Sequence, residues 1–105
     1  MLSRLLLGAL VVLAVAFGVS QLADRPAPEC GPVTGTLPAD ARPTASVDDA
    51  RAAALVAVPG AVVADVDLDE EDGFLVYEVE LTQDRAEFDV VVDAGTGDVL
   101  CFERD

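Results

Sequence analysis

Asp93-Ala94-Gly95-Thr96-Gly97 poses the first chemical question. An Asp followed by small residues and two glycines has the composition of loops that hold phosphates, and of loops that present one carboxylate of a paired-carboxylate protease site. A second candidate lies upstream in "DVDLDEEDG", Asp67 to Gly73, where carboxylates at alternate positions suggest a cation loop. The third is the pair of cysteines, Cys30 and Cys101.

The rest of the chain limits what these residues can do. A paired-carboxylate protease needs a second such loop so that two carboxylates share one proton. A phosphate-holding loop of the ATPase kind needs a large domain around it, and this chain has 105 residues. It has no His, no Trp and no Lys, so no imidazole can act as general base, metal ligand or triad member. Counting a calcium loop of the EF-hand type from Asp67 puts Asp72 where Gly is required and Glu78 at the closing position, inside an alternating strand-like run. The expectation is a protein that is no enzyme and has no cofactor and no metal centre, with at most weak cation contact in the Asp69 to Asp72 turn.

Charge narrows the partners further. Residues Thr44 to Asp105 hold three Arg against seventeen Asp and Glu, and so account for the whole net charge of −14. Such a surface repels nucleic acid and anionic lipid head groups.

The chain divides into three stretches. Residues 1–23 begin with "MLSR" and continue in a run free of charge from Leu5 to Ala23, the length of a signal peptide or membrane anchor. Arg4 before the run and Asp24 after it place the C-terminal part of the chain outside the cytoplasm. Ala14-Val15-Ala16 offers a cleavage site, while Phe17, Val19 and Leu22 continue the apolar run, so cleaved and anchored forms both remain open. Residues 24–45 hold five of the six prolines with no period of 2 or 3.6, and read as an extended tether. Residues 46–105 form the ordered domain.

Within that domain Ser46 reads as a helix N-cap, with Asp49 at the third helical position. The helix is expected from Val47 to Val58, with Ala50, Ala53, Ala54, Ala57 and Val58 on one small-residue face, and Pro59-Gly60 ends it. Three period-2 runs come next, "AVVADVDLD", "FLVYEVEL" and "AEFDVVVD", and then a short strand, "VLCFE". The links "EEDG" and "TQDR" are short, so antiparallel hairpins join the runs. Asp93 ends the third run and Val99 starts the next, which makes "AGTG" a bend with Gly95 or Gly97 at positive φ rather than a catalytic loop.

This succession of a helix ending in "AVPG", then "VVADVDLDEEDGFLVYEVEL", then "EFDVVVDAGTGDVL", resembles the PepSY domain from Ser46 to about Phe102. One departure is "TQDRAEF", where the family usually has an Asp-Gly turn. The resemblance implies an α+β fold with one helix packed on a small antiparallel β-sheet. It also implies a non-enzymatic module that binds proteins and restrains peptidases near the cell surface, with no catalytic residues. The alternative is a structural or envelope-sensing accessory with no peptidase partner.

The alternation puts Asp65, Asp67, Asp69, Glu78, Glu80, Glu87, Asp89 and Asp93 on the face away from the helix, with Val63, Val76 and Val91 among them. Val63, Val76, Glu78, Glu80, Asp89 and Val91 are the expected partner surface, and the partner is a protein. Like charges facing each other across strands repel, so this face must stay wet or meet cations. In an exported chain, Cys30 and Cys101 can close a disulfide that clamps the tether to the sheet. The alternative is two thiols, with Cys101 buried as a small hydrophobe.

Overall fold

The computed structural model describes residues 28–105; the apolar run Leu5 to Ala23 lies outside them. Among the described residues no helix is long and apolar enough to cross a membrane. Helix α1 spans Val47–Ala57, followed by β1 Val62–Glu71, β2 Phe74–Gln83, β3 Ala86–Asp93 and β4 Val99–Arg104. The four strands form one antiparallel sheet in the order β1-β2-β3-β4, and α1 packs on one face of it.

Local chemistry starts the helix. The Ser46 hydroxyl accepts from the Asp49 N–H (3.0 Å) while the Asp49 carboxylate accepts from the Ser46 N–H (2.9 Å), a reciprocal capping box that satisfies donors no intrahelical carbonyl can reach. Ala50 and Ala54 are fully buried, with Val58 beside them, so the backbone of α1 lies close on the sheet. Beneath it, Leu75, Tyr77, Val79 and Leu81 of β2 meet Val90 and Val92 of β3. The Tyr77 hydroxyl donates to the Ala45 carbonyl (2.7 Å), which gives its one polar atom a partner and ties the helix entry to the sheet.

The hairpins are tight because two aspartates accept the left-handed conformation. Asp72 (φ 53°) opens the β1-β2 turn, and Asp84 (φ 55°) the turn between Gln83 and Ala86, where the sequence departs from the usual Asp-Gly. Between Val63 and Asp65 a bulge shifts the register, so Ala64 is an extra residue.

Residues 28–45 hold no helix or strand, only isolated bridges, bends and a turn closed by the Ala41 N–H on the Pro38 carbonyl (3.0 Å), and they do not run free. Pro28 accepts from the Phe102 N–H (2.9 Å) at the β4 edge, and Cys30 is bonded to Cys101. The chain then crosses the face of the sheet opposite α1. There Val33 is buried with Val76, Val91 and Cys101; beyond it Leu37 packs against the helix-side cluster, and its carbonyl accepts from the Leu75 N–H (3.0 Å). We call Pro28 to Leu37 the strap.

Candidate functional site

The face opposite α1 is built by cross-strand pairing. Asp65 of β1 lies opposite Glu80 of β2, Glu80 opposite Asp89 of β3, and Asp89 opposite Glu103 of β4, giving a row of four carboxylates across all four strands. Asp67 opposite Glu78 begins a second row, which continues into Val91 and Cys101. The one ion pair among the described residues, Arg51 with Asp48 (2.8 Å), is on α1 and leaves these carboxylates without a counter-charge. Like charges directly opposite each other destabilise a sheet by a few tenths to about 1 kcal/mol per pair.

Proton affinity reflects this crowding. Burial, then the charge of Asp105 and a hydrogen bond shared with it, then Glu80 and Glu103, push the Asp89 carboxyl up to about 6. Glu78 is raised by burial and then by Asp89, Asp69, Glu71 and Glu80. Asp67 is raised by its hydrogen bond to Asp65 and by that neighbour's charge.

Because the folded value for Asp89 lies above its ordinary 3.8, the folded chain binds more protons than the unfolded chain between the two values. Stability therefore rises as pH falls through about 6 and is lost again as pH climbs past it. Asp49 acts in the opposite sense: its bonds to Ser46 hold it below its ordinary value, so the capping box weakens only at lower pH, below 3.8. Asp89→Asn, which still donates to Asp105, should raise stability at neutral pH by ~1–2 kcal/mol after allowance for solvent screening, and should flatten the profile. Urea midpoints at neutral pH and near pH ~5 check this; an equal pH dependence in the variant and the original chain contradicts it.

The structure distributes the sequence-predicted surface unevenly. Glu78, Glu80 and Asp89 are together on the acidic face. Val76 and Val91 are on the same face but buried beneath the strap, and so are not exposed partner contacts. Val63 is opposite Leu81 and packs on the helix side; the bulge at Ala64 reverses the alternation there and corrects its predicted placement. The rows also bring in Glu103, which the sequence pattern marks only as the end of the last strand.

Asp69, Glu71 and Glu78 each bring one oxygen within 4.8 Å of the others, the set of side chains that could share a cation. Asp72, assigned by sequence to a weak cation turn, instead accepts from the Val33 N–H of the strap (2.7 Å).

The Asp93 loop is a turn with a holding role. Gly97 (φ 80°) makes the bend, and the Asp93 N–H donates to the Asp98 carbonyl (2.8 Å). The buried Asp93 carboxylate accepts from the Gly95 N–H (2.7 Å), the Thr36 hydroxyl (2.9 Å) and the Thr36 N–H (3.0 Å). A Cβ on Gly95 would overlap the Thr36 hydroxyl and come within 2.9 Å of Leu37 Cγ, so this glycine is what lets the strap lie against the turn.

Comparison with curated proteins and with solved structures finds no match to the chain. Comparison with protein families matches residues 44–100 to PepSY, the peptidase propeptide and YPEB domain. The match covers α1 and β1 to β3 and reaches into β4, while Cys30, the strap and Cys101 lie outside it. With its helix on a four-stranded antiparallel sheet and more than half its length matched, the chain belongs to the PepSY family.

Proposed function

We propose that this chain is an extracytoplasmic, non-enzymatic module that binds a protein through the acidic face of its sheet, and that it restrains an exported peptidase carrying a basic or metal-lined surface. The carboxylate row Asp65-Glu80-Asp89-Glu103, which no arginine of the described residues neutralises, is the observation that supports this reading. Its mutual repulsion is relieved when a cationic surface approaches, so association is favoured by charge and guided over distance. The disulfide fits an oxidising compartment. The run Leu5 to Ala23 supplies export and, if uncleaved, a membrane anchor.

The acidic face sets orientation and on-rate, so the triple variant Glu78→Gln, Glu80→Gln, Asp89→Asn should fold while associating more slowly. Binding to the original chain should weaken as salt brings the screening length to about 10 Å or less. The test captures exported proteins on the soluble domain, original and triple variant, at low and high salt. Partners held by the original chain at low salt should drop away in the other three conditions. An identical set in all four means that the acidic face is only solvated surface. An empty set throughout favours a structural envelope accessory with no peptidase partner.

A further inference from the structure

We propose that the strap occupies, in cis, a docking track on the acidic face, and that reduction of Cys30–Cys101 opens this track to an extended partner segment carrying a β-branched residue between two basic ones. The proposal rests on the reading of this face as the docking surface and adds a covalent gate and a sequence preference to it.

The track has an apolar floor and an anionic rim. Val76 is fully buried, Val91 and Cys101 nearly so, and Val33 is the strap's aliphatic member of the cluster they form. Glu71, Glu78, Asp89 and Glu103 line a cavity of about 140 Å³ there, together with Cys30, Gly31, Val33 and Val91. The strap offers these carboxylates no cation, because the positions two residues either side of Val33, whose side chains would share its direction, are Gly31 and Gly35. An extended segment with a β-branched side chain in the place of Val33 and a basic residue two positions away on each side, so that all three side chains face the sheet, would fill the floor and neutralise the rim, which the strap itself cannot do.

The strap is held separately from the main core. The helix-side cluster lies on the other face of the sheet and contains no strap residue beyond the partly buried Leu37. Between Cys30 and Thr36, the side-chain hydrogen bond is that of Val33 N–H to Asp72. Cys30 lines an open depression of about 590 Å³ bordered by Phe88, Phe102 and Arg104, whereas Cys101 is buried. An external dithiol therefore reaches the Cys30 sulfur. Its thiolate forms a mixed disulfide there as Cys101 leaves as thiolate and takes a proton. The second thiol of the reductant then displaces Cys30, so two electrons and two protons pass to the chain and the reductant becomes a disulfide.

The test uses the full chain, oxidised and after dithiothreitol, in the cold. Amide hydrogen exchange tracks the strap, and a labelled Arg-Thr-Val-Thr-Arg peptide is the docking probe. Reduction should speed exchange at Val33 by at least ~30-fold while Thr36, which Asp93 still holds, and Val79 and Val90 remain far slower. The peptide should bind the reduced form at least about tenfold more tightly than the oxidised one. Cys30→Ser should behave as the reduced form with or without dithiothreitol.

A Val33 amide that stays protected after reduction overturns the gate, as does exchange of Val79 and Val90 at the same rate as Val33, which would mean that reduction unfolds the whole domain and not the strap. Equal peptide binding to both forms overturns the track even if the strap opens. Exchange needs no partner, so these outcomes are separable from failure of the acidic-face reading.

Discussion

Replacing Cys30 and Cys101 together by serine should lower the stability of the domain by about 3–4 kcal/mol. The bond joins positions 71 residues apart and so spans nearly the whole described chain. A cross-link of that span removes on the order of 4 kcal/mol of chain entropy from the unfolded state. Part of this is offset because the strap also gains freedom in the folded variant. A single small domain has little stability to spare. At about 4–8 °C per kcal/mol for a domain of this size, the thermal midpoint should fall by roughly 12–30 °C. Thermal melts of the original chain with and without reductant, beside the double serine variant, measure it. A fall under about 3 °C would show that the strap and sheet are stable without the bond.

The second large effect is at Asp93. Its carboxylate is 2 % exposed and accepts three hydrogen bonds, two from Thr36 of the strap and one from Gly95 of its own turn. Asp93→Ala leaves three donors without their acceptor at a site largely closed to water, and should lower stability by ~2–4 kcal/mol. Asp93→Asn keeps one oxygen but turns an amide NH2 toward donors, so its loss should be of similar sign and smaller. Thr36→Ala removes only the hydroxyl bond and should cost about 1 kcal/mol. The coupling between Asp93 and Thr36 in a double-mutant cycle separates the strap contact from the turn contact. Additivity of the two losses would mean that Asp93 serves the turn alone.

Much of this architecture is legible in the residues because local chemistry and periodicity agree. Ser46 and Asp49 announce the helix by a capping box that needs no tertiary partner, and Ala50, Ala54 and Val58 fall on the buried face that their spacing predicts. The alternation in "AEFDVVVD" gives β3 its observed limits, Ala86 and Asp93.

Two features are hidden for physical reasons. A bulge adds one residue without any change in composition; with Val62, Val63 and Ala64 in succession, nothing marks where the alternation slips, so the pattern puts Val63 on the wrong face. The strap has no period because its order comes from partners far away in sequence, Asp72 for Val33 and Asp93 for Thr36. The acids of the candidate site are legible from alternation, but the aliphatic residues among them are covered by a segment whose path only the fold reveals.

The reading that a partner docks on the acidic face, and not on the exposed side of the helix, is tested most directly by site-specific photo-crosslinking in the intact envelope. A benzophenone side chain replaces Glu80, in the centre of the carboxylate row, or Val56, which is 80 % exposed on α1. The probe at position 80 should yield a discrete protein adduct at low salt that high salt abolishes, while the probe at position 56 yields none. An adduct from position 56 with none from position 80 would move the docking surface to the helix and overturn the acidic-face reading.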